Sequence, residues 1–224
     1  MIIYSQVEIL CKQYNINNWN YNIDGSIDVD GNVDMSSKNL SSLPLKFARV
    51  MGNFCIQDNN LTTLKGAPIS VGGNFNCYYN QLINFEGSPK WVGGDFFAYS
   101  NALISLVGSP KEVVGDYYIS GNNKLSNLLG CTPKIHGNIS FDDVLSSTYC
   151  DDDVEFEGSF FFNETYSNES NKMVKKLPVE IIENRHHLKL ILKYQRYFGI
   201  WNDDQTLNKE YFNDLIAEID EGLK

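Results

Sequence analysis

The chain has 224 residues, 42% of them apolar and 13% aromatic, which is ample for a buried core and excludes a disordered polymer. A formal net charge of −10 argues against direct nucleic-acid binding, which needs a surplus of Lys and Arg against the phosphate backbone. No run of eighteen apolar residues is present and MIIYSQVEIL lacks the basic start and small-residue cleavage site of a signal peptide, so no membrane is implied and the expected location is cytoplasmic.

The first predicted element is a short helix over residues 5 to 14. Ser5 to Glu8 is spaced as a capping box, and Val7, Leu10, Cys11 and Tyr14 fall on one face. Between Ile23 and Met35, the dipeptides Asp24-Gly25 and Asp30-Gly31 read as turns joining small antiparallel strands. Residues 1–30 are expected to form an N-terminal cap.

From residue 31 the chain repeats. Gly31, Gly52, Gly73, Gly94 and Gly115 are 21 residues apart, Gly137 follows after 22, and Gly158 after 21. Each is followed by an alternating segment such as NFCIQ, NFNCY or DYYIS, the period of a strand with one buried face. Seven parallel strands in one curved sheet are predicted. The second and fourth positions after each glycine, such as Phe54, Phe75, Phe96 and Tyr117, and Ile56, Cys77, Ala98 and Ile119, supply the core. Asn59, Asn80, Asn101 and Asn123 each precede a Leu by two and read as an interior ladder that gives buried backbone groups their partners, with Lys38 standing there in the first turn. The G-x-P triplets at Gly66, Gly87 and Gly108 forbid a helix on the return path, which should be extended or polyproline-like. The solenoid is expected over residues 31–165, its last turns interrupted by the acidic insert DDVLSSTYCDDDVEFE.

Residues 166–176 fall in a polar stretch that reads as a linker, and 177–224 as a C-terminal helical hairpin. Its first helix should run from 178 to 198, with Pro178 in the first turn and Gly199 as its stop; its second should run from 207 to 221, with Thr206 as cap. Residues 172–196 carry seven basic and two acidic side chains, set between acidic segments. A solvated helix face or internal charge complementarity accounts for that block more simply than a docking site.

The pattern of Phe75, Cys77, Asn80, Leu82, Phe85, Gly87 and Pro89 resembles the shortest bacterial leucine-rich repeats, which occur in secreted effectors of enteric pathogens. The block YNIDGSIDVDGNVDMSSKNLSSLPLKFARV and the following GNFCIQDNNLTTLKGAP are similar to a family of leucine-rich-repeat proteins encoded by large tailed phages. The resemblance covers residues 8 to 140. It implies an α+β solenoid with a leucine-rich-repeat parallel sheet, acting as a binding scaffold in the cytoplasm of an infected bacterium.

No catalytic set, metal site or cofactor motif is expected. Ser26, Asp28, Asp30, Gly31 and Asp34 have part of a calcium-loop spacing, but lack Asp at the first position and Glu at the twelfth, and alternate as a strand does. Cys150-Asp151-Asp152 matches the Cys-x-Asp of effector ubiquitin ligases, yet no large catalytic domain follows, and neighbouring carboxylates blunt a thiol. His186-His187 has no third ligand nearby in sequence, and the five cysteines form no CxxC pair.

The informative surface is the strand face opposite the core, at the first, third and fifth positions after each glycine. Tyr78, Asp95, Phe97, Tyr99, Asp116 and Tyr118 fall together at its centre. Strand propensity alone places aromatic residues in strands. A cluster rimmed by polar groups on a concave sheet is also what an interface core looks like. The expected partner is a host protein with a basic surface, of defence or regulatory kind, bound and inhibited by a phage protein. Two rival readings are an acidic decoy imitating nucleic acid and a phage structural or adaptor part working through the helical tail. The sequence leaves the oligomeric state open.

Overall fold

The computed structural model describes residues 4–142, 145–150, 154–163 and 177–224. The linker expected at 166–176 and part of the acidic insert, including Asp151 and Asp152, lie outside the described residues. Helix α1, Tyr4–Gln13, buries Val7 and Cys11 and leads into an antiparallel pair, β1 (Trp19–Tyr21) and β2 (Ile27–Val29). The helix already includes Ser5, so the expected cap does not form; Glu8 instead pairs with Lys12 one turn on, at 2.9 Å.

Each following turn contributes to two sheets. The front strands are β3 (Val33–Asp34), β5 (Phe54–Cys55), β7 (Phe75–Asn76), β9 (Phe96–Phe97), β11 (Tyr117–Tyr118), β13 (Ile139–Asp142) and β15 (Phe160–Asn163). Between them run the rear strands β4 (Phe47–Val50), β6 (Ser70–Val71), β8 (Trp91–Val92), β10 (Glu112–Val113), β12 (Lys134–Ile135) and β14 (Glu155–Phe156). The front sheet is seven-stranded, ordered β15-β13-β11-β9-β7-β5-β3, and the rear is eight-stranded, ordered β1-β2-β4-β6-β8-β10-β12-β14. All pairings beyond β1 and β2 are parallel, in the one-turn register of Phe75 with Phe96 and Val71 with Val92. The chain is therefore a parallel solenoid of α+β class. The seven strands predicted after the glycines form the front sheet, and the return path, expected to be extended or polyproline-like, pairs into a second sheet behind it. The apolar residue two before each glycine, Val71 or Val92, ends an extended pair that bonds to the next turn, and the G-x-P triplet is confined to the corner before it.

The core between the sheets is a column of like residues. Phe54, Phe75, Phe96 and Tyr117 stack at 5.7, 5.3 and 5.3 Å, with Val50, Val71, Val92 and Val113 buried behind them. The buried Tyr117 hydroxyl is satisfied by Ser109 Oγ at 2.9 Å. An interior ladder forms at Asn59, Asn80, Asn101 and Asn122. Asn80 Oδ1 accepts from Leu61 N at 2.9 Å, and its Nδ2 donates to Ile56 O at 3.0 Å and Cys77 O at 3.2 Å, tying its own turn to the one before. The fourth rung is Asn122, not the expected Asn123. Asn122 is 1% exposed and donates to Ile119 O at 2.8 Å, whereas Asn123 is exposed. The extra residue of this turn sits after the ladder, between Asn122 and Leu125, so spacing measured back from the leucine misplaces the rung.

The expected helix from 178 to 198 is broken into α2 (Val179–Glu183), a 3₁₀ turn at Arg185–His187, and α3 (Leu188–Phe198). Asn184 folds its Nδ2 back onto Glu180 O at 2.9 Å, a side-chain bond that competes with helix propagation. Gly199 ends α3 in the left-handed conformation, φ 62°. The last helix, α4 (Lys209–Asp220), is capped by Asn208, whose side chain accepts from Tyr211 N at 3.2 Å. Thr206 is not the cap; it donates to Asp204 Oδ1 in the preceding turn at 2.6 Å. The hairpin meets the solenoid through Thr148 Oγ1 to Gln195 Oε1, 3.3 Å, Asn127 Nδ2 to Gln205 Oε1, 2.8 Å, and Lys189 over the Phe156 ring.

Candidate functional site

The three outward rows of the front sheet do different work. In the first row, each side-chain oxygen reaches one turn ahead to a backbone N–H. Asn53 Oδ1 accepts from Asn74 N at 2.8 Å, Asn74 Oδ1 from Asp95 N at 2.9 Å, Asp95 Oδ1 from Asp116 N at 2.8 Å, and Asp116 Oδ1 from Asn138 N at 2.7 Å. This second, outer ladder explains the repeating glycine. A Cβ on Gly94 would lie 2.1 Å from Asn74 Oδ1, and one on Gly115 2.2 Å from Asp95 Oδ1, so only glycine lets the rung cross. Two residue types 21 apart, Gly and then Asn or Asp, were the signal for this ladder, and alternation alone does not reveal it.

Asp95 and Asp116 are thus parts of the fold as well as of the surface. Asp116 also accepts from Tyr118 Oη at 2.7 Å through its second oxygen. Burial pushes its carboxyl up, but the Asn138 backbone N–H and the Tyr118 hydroxyl outweigh that and hold it below the ordinary carboxylate range. The same hydrogen bond, with burial, raises the Tyr118 phenol to about 12.

The third and fifth rows bring the expected aromatic residues together. Phe97 stacks on Tyr118 at 5.0 Å and 7°, Tyr78 on Tyr99 at 4.4 Å and 11°, and Phe97 meets Tyr99 edge-on at 6.5 Å. All four rings are half-buried. Burial first, then Tyr78 and Tyr79, raise the Tyr99 phenol to about 12. Strand alternation does not point to Tyr79, which joins them. It sits sixth after its glycine, outside the alternation, and its positive φ of 50° turns it back against Tyr78 and Tyr99 at 5.6 and 5.7 Å, 57% exposed. The 21 positions of the three rows hold four carboxylates and no Lys or Arg.

The two ends of this cluster differ. Toward the C-terminal turns, Ser140 and Asp142, expected to face outward, are buried, and Asp142 Oδ2 accepts from Gly121 N. Toward the N-terminal turns lie the half-buried Cys55, Gln57 and Asn76. Asn76 Nδ2 donates to Cys55 Sγ at 3.2 Å, while Asn76 Oδ1 and Gln57 Oε1 are shielded from solvent without a hydrogen-bond partner. Burial raises the Cys55 thiol, which keeps it a poor nucleophile.

The residues weighed for other chemistry are dispersed. Cys150 is fully buried. His187 Nε2 lies 3.3 Å from Asp220 Oδ1, and the His186 ring meets that of His187 at a 44° tilt. Asp24 bonds Ser26 and pairs with Lys46 at 2.6 Å. Among the described residues no group of three His, Cys, Asp or Glu is placed to hold a metal ion, and no helix is long and apolar enough to cross a membrane. On the rear sheet, His136 bridges Glu112 and Glu157, each at 2.9 Å, across neighbouring turns. Comparison with family models, with curated proteins and with solved structures found no match.

Proposed function

We propose that this chain is a non-enzymatic interaction protein whose front face holds another protein through Tyr78, Phe97, Tyr99 and Tyr118, with Asp95 and Asp116 favouring a partner of basic surface. The observation that carries the reading is the aromatic cluster at the middle of a face without a single cation. Large, rigid aromatic side chains with polar tips give contact area at low entropy cost, and a surrounding negative potential steers a basic partner into register. The repeat's resemblance to phage leucine-rich-repeat proteins supports a phage protein that occupies and inhibits a bacterial host protein in the cytoplasm. The nucleic-acid decoy is less well supported, because Asp116 has both oxygens engaged within the chain.

The adaptor reading, working through the tail, has one observation in its favour. Arg185, Lys189, Lys193 and Arg196 are exposed at helical spacing on the 3₁₀ turn and α3, beside Tyr197, which is 85% exposed. A photo-reactive phenylalanine analogue separates the two surfaces when it replaces Tyr79 in one variant and Lys189 in another, each expressed in bacteria and irradiated. The front-face reading expects discrete cross-linked adducts from position 79. Adducts from position 189 alone would move the function to the tail.

A further inference from the structure

The aromatic cluster is directional along the solenoid axis. Two rings 5.0 Å apart and 7° from parallel have no room to lie side by side in one plane, so Phe97 and Tyr118 turn their faces along the axis. Tyr78 and Tyr99, 4.4 Å apart, do the same. Each pair therefore presents an outer face at either end. At the C-terminal end Tyr118 faces its register partner, the buried Ser140, and Tyr99 faces Ser120, both short hydroxyl side chains. At the N-terminal end, Phe97 looks toward Asn76, its register partner, and Tyr78 toward Gln57, 21 residues earlier. These two neighbours carry the shielded oxygens that accept nothing. Asp95, in the same turn as Phe97, has Oδ1 in the outer ladder, and its Oδ2 makes no hydrogen bond or ion pair among the described residues.

We infer that this N-terminal step, bounded by Gln57, Asn76, Tyr78, Asp95 and Phe97, is a seat for an arginine side chain of the protein partner. The inference rests on the front-face reading and adds to it the chemistry of the anchor. A guanidinium is flat, so it stacks on the open face of Phe97 or Tyr78 while its in-plane N–H groups point outward to acceptors. Amide oxygens without a donor supply those acceptors, and Asp95 balances the charge. Both amides belong to half-buried side chains on a solvent-facing row, so a side-chain rotation presents each oxygen to an incoming donor. A lysine ammonium has no flat face to lay on the ring. A nucleobase has one, but brings a phosphate to a face with no cation to meet it.

The test is an NMR titration of the full chain, labelled with nitrogen-15, using three capped pentapeptides of glycine with a central arginine, lysine or citrulline. Arginine should shift the side-chain amide signals of Asn76 and Gln57, with at least about fivefold tighter apparent binding than lysine. Citrulline, which keeps the shape and loses the charge, should leave them in place. Phe97→Leu and Asn76→Leu, each checked for an unchanged melt, should weaken arginine binding by about fivefold. Equal binding of lysine and arginine, no shift at millimolar arginine peptide, or undiminished binding by Phe97→Leu would each overturn the inference. If position 79 still cross-links to a protein when the arginine peptide fails to bind, the arginine seat falls and the front-face reading stands; if position 79 yields no adduct, both fall.

Discussion

The first outward row of the front sheet and the two rows beside it share one strand alternation, yet in the middle turns it is the first whose side-chain oxygens tie one turn to the next. Asn53, Asn74, Asp95 and Asp116 each tie a turn to the next through a side-chain oxygen, and the glycines beside them leave the room to do so. Phe97, Tyr118, Tyr78 and Tyr99 mainly touch one another and solvent. The lesson is that exposure alone does not mark a surface residue as free for function. An Asp whose oxygen bonds the next backbone N–H is part of the scaffold, and a stacked aromatic with no such bond is available to a partner.

Perturbing the scaffold row should have the largest effects. Gly94→Ala drives a methyl into Asn74 Oδ1 and the Gly73 backbone, and should lower the urea unfolding free energy by about 3 kcal/mol. Asn80→Ala leaves Leu61 N–H and the Ile56 and Cys77 carbonyls buried without that partner, and should cost about 2 kcal/mol in the same assay. Asp95→Asn sharpens the contrast, because the rung needs only an acceptor oxygen. Stability should change by less than about 0.5 kcal/mol, while association with a basic partner slows and loses salt dependence. A large loss of stability in Asp95→Asn would mean that the charge, not the rung, matters there.

The smallest expected effect is on the rear sheet, where His136 can donate from both ring nitrogens to Glu112 and Glu157 only when protonated. The hydrogen bond to Glu112, then that to Glu157, raises its pKa above the ordinary 6.5. The folded form therefore binds this proton more tightly than the unfolded one. Its contribution is fully present below pH 6.5 and is lost as pH rises through the raised folded value. The unfolding midpoint of the wild type should fall slightly over that interval relative to His136→Gln. Identical pH profiles would remove the staple.

Much of this architecture is legible in the sequence because a solenoid converts a fixed period into neighbours in space. Phe54, Phe75, Phe96 and Tyr117 are core by alternation and stacked by period, and both facts can be read from spacing. What could not be read required knowing where a side chain crosses a backbone. The outer ladder, the rear sheet and the choice of Asn122 over Asn123 all depend on contacts between residues about a turn apart whose exact offset the glycine period alone leaves open. The break at Asn184 is a local competition between a side-chain amide and a helical carbonyl, which propensity averages over. At the candidate site the alternation brings Phe97, Tyr118, Tyr78 and Tyr99 to one face. It misses Tyr79, because a left-handed residue breaks the alternation, and it gives no hint that Asn76 and Gln57 lack partners.

The most direct measurement is made on the Phe97→Ala, Tyr118→Ala double variant, read for stability and for partner capture from bacterial lysate together. Because neither ring belongs to the stacked core, the melt should correspond to a loss of no more than about 1 kcal/mol. Removing central anchors should cost about 2 kcal/mol or more in binding, some thirtyfold in affinity, so the protein captured by the wild type should be lost. Capture that survives the double variant and disappears instead on charge reversal of Arg185, Lys189 and Lys193 would contradict the account and assign the interaction to the helical tail.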